Sequence, residues 1–142
     1  ERERVPTIYT LFGETLNCIE RGNKQIFIKA FCLKLLNEAG FKPELFNCVH
    51  CKKKVMENCV YWDEVEGGVI CEDCQNKYHH GRKVSDNMIK FFRFIEDNSI
   101  TNMDCLKISK NIENEAENVL DNYIQNIIER EIKSNKFMKE LS

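Results

Sequence analysis

Apolar residues recur along this chain at intervals of three and four, which is the spacing that places side chains on one face of an α-helix. Ser85 and Asp86 precede one such stretch and suit the N-cap of a helix. Gly40 follows another, where glycine ends helices well. The predicted helices cover residues 8–19, 28–39, 88–95 and 116–132, and a further turn covers 136–141. The pattern therefore predicts a mainly α fold in the form of a helical bundle.

The second predicted helix carries apolar residues on more than one side. Phe27 and Leu33 lie off its continuous stripe, so we expect this helix to be buried on more than one face. The stripe itself consists of Ile28, Phe31, Cys32, Leu35, Leu36 and Ala39.

The polar and apolar pattern changes between the second and third helices. Residues 60–63 and 69–71 are short, apolar-rich runs on either side of an acidic turn that contains Gly67 and Gly68. Two such runs around a glycine-containing turn predict a short β-hairpin. Trp62 lies in the first run, where we expect it to pack the hairpin, and the aromatic residues Phe91, Phe92 and Phe94 are expected in the core of the bundle.

Two Cys-x-x-Cys pairs bracket this hairpin, and nineteen residues lie between them. A two-residue spacing lets both sulfurs of a tight knuckle reach one ion, and two knuckles complete a tetrahedron. The predicted ligands of one structural Zn²⁺ ion are Cys48, Cys51, Cys71 and Cys74. Iron remains a rival, because thiolates bind it too. The fold prediction is one domain over residues 1–142, with a four-cysteine zinc ribbon inserted at about 46–76.

The three histidines of the chain stand near these pairs. His50 lies inside the first knuckle and can bind the ion only by displacing Cys51, so we expect it on the surface. His79 and His80 are expected at a solvated helix end, because no nucleophile or paired carboxylate is spaced to use them. With no phosphate loop or nucleophile elbow either, the sequence predicts a protein that is not an enzyme.

The composition restricts the class of protein further. The chain has 142 residues, eight cysteines and a net charge of −2, and no apolar run approaches a membrane span. Four cysteines outside the pairs behave as buried thiols of a reducing compartment, which predicts a cytoplasmic protein. The chain opens with Glu1 rather than methionine, so we expect a fragment of a longer protein.

Several segments of the chain resemble the C-terminal part of the bacterial RecO family. They keep the order of that family over most of the chain. They are Ile28-Lys-Ala-Phe31, Leu33-Lys-Leu-Leu36, Ala39-Gly-Phe41, Pro43-Glu-Leu45, the first cysteine pair, Gly67-Gly-Val-Ile-Cys71 with Cys74, and Lys133-Ser134 followed by Lys136-Phe137.

The resemblance implies a role in DNA repair and recombination. RecO proteins are recombination mediators in which a helical domain with a zinc ribbon follows an N-terminal OB-fold. They bind and anneal DNA, pair with RecR and help load RecA onto DNA coated by single-strand binding protein (SSB), which implies a nucleoid-associated protein of the cytoplasm. We expect the OB-fold to be absent from this chain, which starts at Glu1, and we therefore expect weaker DNA binding and loss of the RecR contact.

The resemblance also implies a docking site on the helical domain for the acidic, hydrophobic C-terminal tail of SSB. A basic rim around an apolar pocket suits such a tail. Lys29 stands where family members often carry arginine, and Lys133 matches the Lys-Ser of the family. We expect these two residues and Lys136 to form the rim, with plain solubility as the competing role of the three lysines.

A second hypothesis retains the zinc ribbon but assigns the chain to a different kind of protein assembly. The chain would be a zinc-ribbon module of a transcription-related or other DNA-processing assembly. The residues expected to contact DNA are Lys52, Lys53, Lys54, Arg82 and Lys83.

Overall fold

The computed structural model of the protein describes residues 10, 13, 14 and 24–141. The first predicted helix, over residues 8–19, therefore lies mostly outside the described residues. Its three described positions, 10, 13 and 14, are helical. Cys18 also lies outside the described residues, as do the side chains of Lys24, Asp104, Cys105 and Phe137.

The first well-described helix, α1, spans Lys24–Glu38. It ends as the sequence predicts. Gly40 adopts a left-handed backbone with φ of 91°, and the amide of Phe41 donates to the carbonyl of Leu36 at 2.8 Å. Glycine takes this conformation without strain, so the helix stops here and the chain turns toward the cysteine module.

The face of α1 that is most deeply buried differs from the predicted stripe. Ile28 and Leu35 of that stripe are 38% and 37% exposed, whereas Phe27 and Leu33 are fully buried. The helix packs against two later α-helices and a 3₁₀ helix. Because apolar residues occupy more than one side of α1, their spacing cannot decide which side those elements cover.

The cysteine module contains the predicted hairpin. Strand β1 spans Tyr61–Asp63 and pairs antiparallel with β2, Gly68–Ile70, so that Trp62 lies opposite Val69. A third strand, β3, spans Arg82–Lys83 and pairs with the other edge of β1. The sheet order is therefore β2-β1-β3.

Two short elements of this module were not predicted. Helix α2, Glu72–Tyr78, begins directly after β2 and carries the second cysteine knuckle in its first turn. Strand β3 follows it after three residues. A seven-residue helix and a two-residue strand are too short to show a clear apolar period.

The second half of the bundle follows the predictions more closely. Helix α3 spans Asp86–Asp97, and the hydroxyl of Ser85 accepts the amide of Met88, as an N-cap does. A 3₁₀ helix, Ile100–Cys105, follows α3. Helix α4 then runs without a break over Lys110–Leu141, so the predicted separate final turn is instead the end of this helix.

The ribbon and the helices share one hydrophobic core. Trp62 is 0% exposed, and its ring meets Phe92 of α3 and Tyr123 of α4 edge-on, with centroids 6.0 Å and 6.3 Å apart. The predicted packing role of Trp62 and the burial of Phe91 and Phe92 are thus confirmed. Among the described helices, none is long and apolar enough to cross a membrane.

Candidate metal centre

The four paired cysteines meet at one end of the sheet. Their Sγ atoms all lie within 4.8 Å of one another, and the Sγ atoms of Cys51 and Cys71 are 3.6 Å apart. Cys48 and Cys74 are buried, while Cys51 is exposed. The structure thus brings together the whole predicted ligand set.

A tight backbone turn forms the first knuckle. The amide of Lys52 donates to the carbonyl of Cys48 at 2.9 Å, and Lys52 itself adopts a left-handed backbone with φ of 66°. The amide of His50 points at Cys48 Sγ over 3.4 Å. The turn therefore holds both sulfurs on one side and offers a donor to a thiolate.

The second knuckle uses the start of a helix. Cys71 is the N-cap of α2, and its Sγ accepts the amide of Cys74 at 3.4 Å. The amide of Gln75 donates to the carbonyl of Cys71 at 3.0 Å. A helix N-terminus favours negative charge, so this turn suits a thiolate.

Backbone hydrogen bonds align the two knuckles. The amide of Val49 donates to the carbonyl of Val69 in β2 at 3.0 Å, so the first knuckle lies against the strand that leads to Cys71. This approach requires Gly68, because a β-carbon there would come within 2.5 Å of Val49 Cγ1 and 2.9 Å of the Glu44 carbonyl.

The thiols of Cys48 and Cys74 have opposite pKa shifts. Burial raises the pKa of Cys48, but hydrogen bonds from the backbone of Cys51, Cys71 and His50 outweigh it and bring that pKa to about 6. Burial, followed by hydrogen bonds to the other three sulfurs, raises the pKa of Cys74 to about 12. A divalent ion removes this conflict, because it stabilises all its ligands as thiolates.

The sulfur geometry fits a tetrahedral thiolate centre. Zn–S bonds of about 2.3 Å in a tetrahedron place the sulfurs roughly 3.8 Å apart, close to the 3.6 Å between Cys51 and Cys71. All four are free thiols, so no disulfide competes for them. The arrangement is a metal site whose four positions are filled by sulfur.

The predicted DNA-contacting residues lie at two opposite edges of the sheet. Lys53 and Lys54 pair with residues 47 and 48 of the first knuckle, which itself lies against β2, whereas Arg82 and Lys83 form β3. All five predicted residues are exposed. Arg82 also pairs with Glu64 at 3.1 Å, and the Lys52 amine donates to the carbonyl of Val49 at 2.9 Å.

The three lysines predicted to form one rim do not lie together. The Lys29 side chain is only 9% exposed, and its amine lies 3.8 Å from Glu117 of α4. Lys133 follows Glu117 by sixteen positions on the same unbroken helix, a distance of about 24 Å. Lys133 and Lys136 are exposed near the end of α4. Lys29 is therefore buried beside the half-exposed carboxylate of Glu117, far from the other two lysines.

A surface cavity of about 470 Å³ lies between α3 and the start of α4, and sequence reasoning missed it. Its apolar lining comes from Phe91 and Phe94 together with Leu106, Ile108 and Ile112, and Lys90 and Lys107 supply positive charge at its edge. The alternation of Leu106, Lys107 and Ile108 is the sequence signal that would have pointed to it.

The sequence of the chain is similar to part of several bacterial proteins named DNA repair protein RecO. The model of the family "Recombination protein O C terminal" matches residues 1–136. A DNA repair protein RecO from Dehalococcoides mccartyi is 35% identical over 130 residues, which cover 91% of this chain and 51% of that protein. RecO from Desulforamulus reducens is 28% identical over 141 residues, covering 99% and 55%. The chain thus spans about half the length of the curated relatives it matches. No solved structure matches it.

Proposed function

We propose, from the premise that this chain belongs to the recombination protein O (RecO) C-terminal family, that it is the helical and metal-ribbon part of a DNA repair and recombination mediator. The family match over residues 1–136 carries the proposal. Its role is binding rather than catalysis, because a metal with four sulfur ligands offers no position to water or substrate. As part of a longer protein it would act in the cytoplasm, at the nucleoid.

The proposed ion is a single structural Zn²⁺. Four thiolates at tetrahedral spacing suit zinc. Cys48 and Cys74 belong to the common hydrophobic core, so the metal centre adjoins that core. When bound, the ion cross-links the two cysteine knuckles. Elemental analysis of purified protein should find at least one zinc per chain. Iron at that stoichiometry, with the colour of an iron–thiolate centre, would instead identify a rubredoxin-like site.

The proposed partner of the helical part is the C-terminal tail of SSB. The cavity beside α3 offers an apolar floor that suits an aromatic side chain, and the amines of Lys90 and Lys107 suit carboxylates. Lys90 also lies 3.5 Å from Glu57, so tail binding would exchange one carboxylate for another. We prefer this cavity to a rim that includes Lys29, because Lys29 is buried against Glu117.

A titration with a fluorescent SSB-tail peptide tests the tail proposal. Lys107→Ala should weaken binding by roughly tenfold, as expected for loss of one charged hydrogen bond. Lys139→Ala, on the exposed end of α4, is the matched control. Equal weakening by both variants would mean non-specific charge attraction. Loss confined to Lys133→Ala and Lys136→Ala would place the site at the originally expected rim.

DNA is the second proposed partner, bound weakly in the absence of the rest of the protein. Pairing with RecR and delivery to RecA are proposed for the full-length protein only. The exposed Lys52, Lys53 and Lys54 offer a compact positive patch beside the first knuckle. Their triple alanine variant should lower both DNA affinity and its salt dependence. Strong, salt-sensitive DNA binding without any SSB-tail binding would favour the zinc-ribbon module of a different DNA-processing assembly.

A further inference from the structure

A second group of possible metal ligands lies next to the cysteine centre. His50, Asp63 and His80 each offer one ligand atom, and these three atoms all lie within 4.8 Å of one another. The residues come from three separate segments, namely the first knuckle, the end of β1 and the loop between α2 and β3. Both histidines were expected on the surface without a partner, so this group is a product of the fold.

Backbone hydrogen bonds fix the carboxylate of Asp63 independently of its contact with His50. Asp63 is only 3% exposed, and its Oδ1 accepts the amides of Val65 and Glu66 at 3.0 Å each. Its Oδ2 lies 3.3 Å from His50 Nε2. A buried carboxylate with one oxygen held by the turn presents the other in a defined direction.

The distance between Asp63 and His50 suits two ligands of one ion. A charge-assisted hydrogen bond is usually about 2.7–2.9 Å long. Nitrogen and oxygen ligands at about 2.0–2.1 Å from a tetrahedral zinc ion stand roughly 3.3 Å apart, which is the separation of Asp63 Oδ2 and His50 Nε2.

The loop after α2 returns His80 to this position. His79 caps α2 in a left-handed conformation with φ of 57°, and Gln75 then holds Gly81 by two hydrogen bonds, of 2.8 Å and 2.7 Å. The rings of His50 and His80 meet edge-on with centroids 6.0 Å apart. The His80 side chain is thus anchored through its backbone while its ring remains accessible to solvent.

We propose that His50, Asp63 and His80 form a second metal site, which binds a divalent transition-metal ion of the zinc class. Two imidazoles and one carboxylate are ligands that such ions prefer. Three protein ligands leave the fourth position to water on the exposed side of His80, unlike the closed cysteine centre. The ion would tie the first knuckle to the α2–β3 loop.

A zinc titration of the protein that already carries its cysteine-bound ion tests this site. A chromophoric chelator as competitor should report a second equivalent of Zn²⁺ per chain. His80→Ala should weaken that second equivalent by at least about 100-fold, because one of three ligands is gone. His79→Asn is the matched control, since it removes the neighbouring imidazole and asparagine accepts a left-handed backbone. It should retain both equivalents.

Asp63→Asn provides an independent variant that keeps an oxygen for the amides of Val65 and Glu66. It too should lose the second equivalent and keep the first, which also shows that the ribbon remains folded. Cobalt(II) provides a separate readout, because the second equivalent should add absorption without new sulfur-to-metal charge transfer. A single equivalent in the parent, or unchanged binding in His80→Ala and Asp63→Asn, would show that the three residues form only a hydrogen-bonded cluster.

Discussion

The ring of Tyr123 lies so close to Gly67 that a β-carbon at position 67 would come within 2.3 Å of it. The Tyr123 hydroxyl also donates to the carbonyl of Phe41 at 2.9 Å. One side chain of α4 therefore touches both the chain entering the cysteine module and the turn between its strands. This contact sets the position of the ribbon on the bundle.

Alanine at position 67 should destabilise the protein strongly. Gly67 has φ of 75° and no room beneath Tyr123, so Gly67→Ala combines backbone strain with a steric clash. We expect a loss of about 3 kcal/mol in the free energy of unfolding, measured by urea denaturation. Gly40→Ala is the control, because φ is 91° there but no atom lies within 4 Å. It should lose about 1 kcal/mol, and equal losses would refute the close contact with Tyr123.

Removal of the metal should unfold the ribbon. Cys51→Ser breaks one ligand at an exposed position, so packing is largely preserved while metal affinity falls. Because binding energy of a structural ion contributes directly to folding, we expect the melting temperature to drop by at least about 10 °C, as it should after chelation. Cys59→Ser, a change of a free thiol outside the cluster, should shift melting by less than about 3 °C. Equal melting with and without metal would disprove a structural role.

Ser85 joins the start of α3 to α4 and should contribute more than an ordinary cap. Its hydroxyl accepts the Met88 amide at 3.1 Å and donates to Glu115 at 2.5 Å, and its amide also donates to Glu115. Ser85→Ala should lower the free energy of unfolding by about 2 kcal/mol. Ser109→Ala removes only an exposed acceptor for the Ile112 amide and should lose about 0.5 kcal/mol. Similar losses would mean that the Glu115 contact adds nothing.

Glu96 should make stability depend on pH near neutrality. Burial raises the pKa of Glu96 to about 7. The nearby charges have smaller effects: Lys42 and Lys34 lower this pKa, whereas Asp97 and Glu44 raise it. Glu96 Oε1 is buried without a hydrogen-bond partner. The folded state therefore binds this proton more tightly than the unfolded state, whose carboxyl keeps the ordinary value of 4.5. The resulting stabilisation is complete below pH 4.5 and is lost as pH rises through about 7.

Glu96→Gln should abolish this dependence. At pH 8 the variant should be more stable than the parent by about 1 kcal/mol, a figure reduced because the side chain is only partly buried and solvent screens its charge. Chemical denaturation at pH 5 and pH 8 measures the effect. Glu131→Gln, at the exposed end of α4, controls for the removal of one negative charge. Parallel pH profiles for the parent and Glu96→Gln would contradict the raised pKa.

The elements that sequence reasoning found are those with strong local signals. The spacing of the two cysteine pairs is enough to predict their ligand geometry. Ser85 and Gly40 mark a helix start and a helix end, because serine favours N-caps and glycine favours C-terminal caps. Trp62 is flanked by a hairpin pattern, so its burial could be inferred. In each case a few neighbouring residues determine the outcome.

The features that were missed depend on contacts between distant segments. Lys29 is covered because Glu117 of α4 lies beside it, and nothing near Lys29 in the chain indicates that pairing. His80 meets His50 only because the left-handed cap at His79 turns the loop back. The burial of α1 on more than one side was predicted, but its period could not show which side is buried most deeply, because helix packing decides that.

Helix α4 is a single rod of 32 residues, about 48 Å long. Its buried positions end at Ile127, and every described side chain beyond that point is exposed. The segment from Ile127 to Leu141 measures about 21 Å, so a tilt of about 10° at its base displaces its tip by about 4 Å. The same helix contacts the ribbon through the side chain of Tyr123. A rigid rotation of α4 about its contact with the ribbon would therefore move the C-terminal end of the helix farthest.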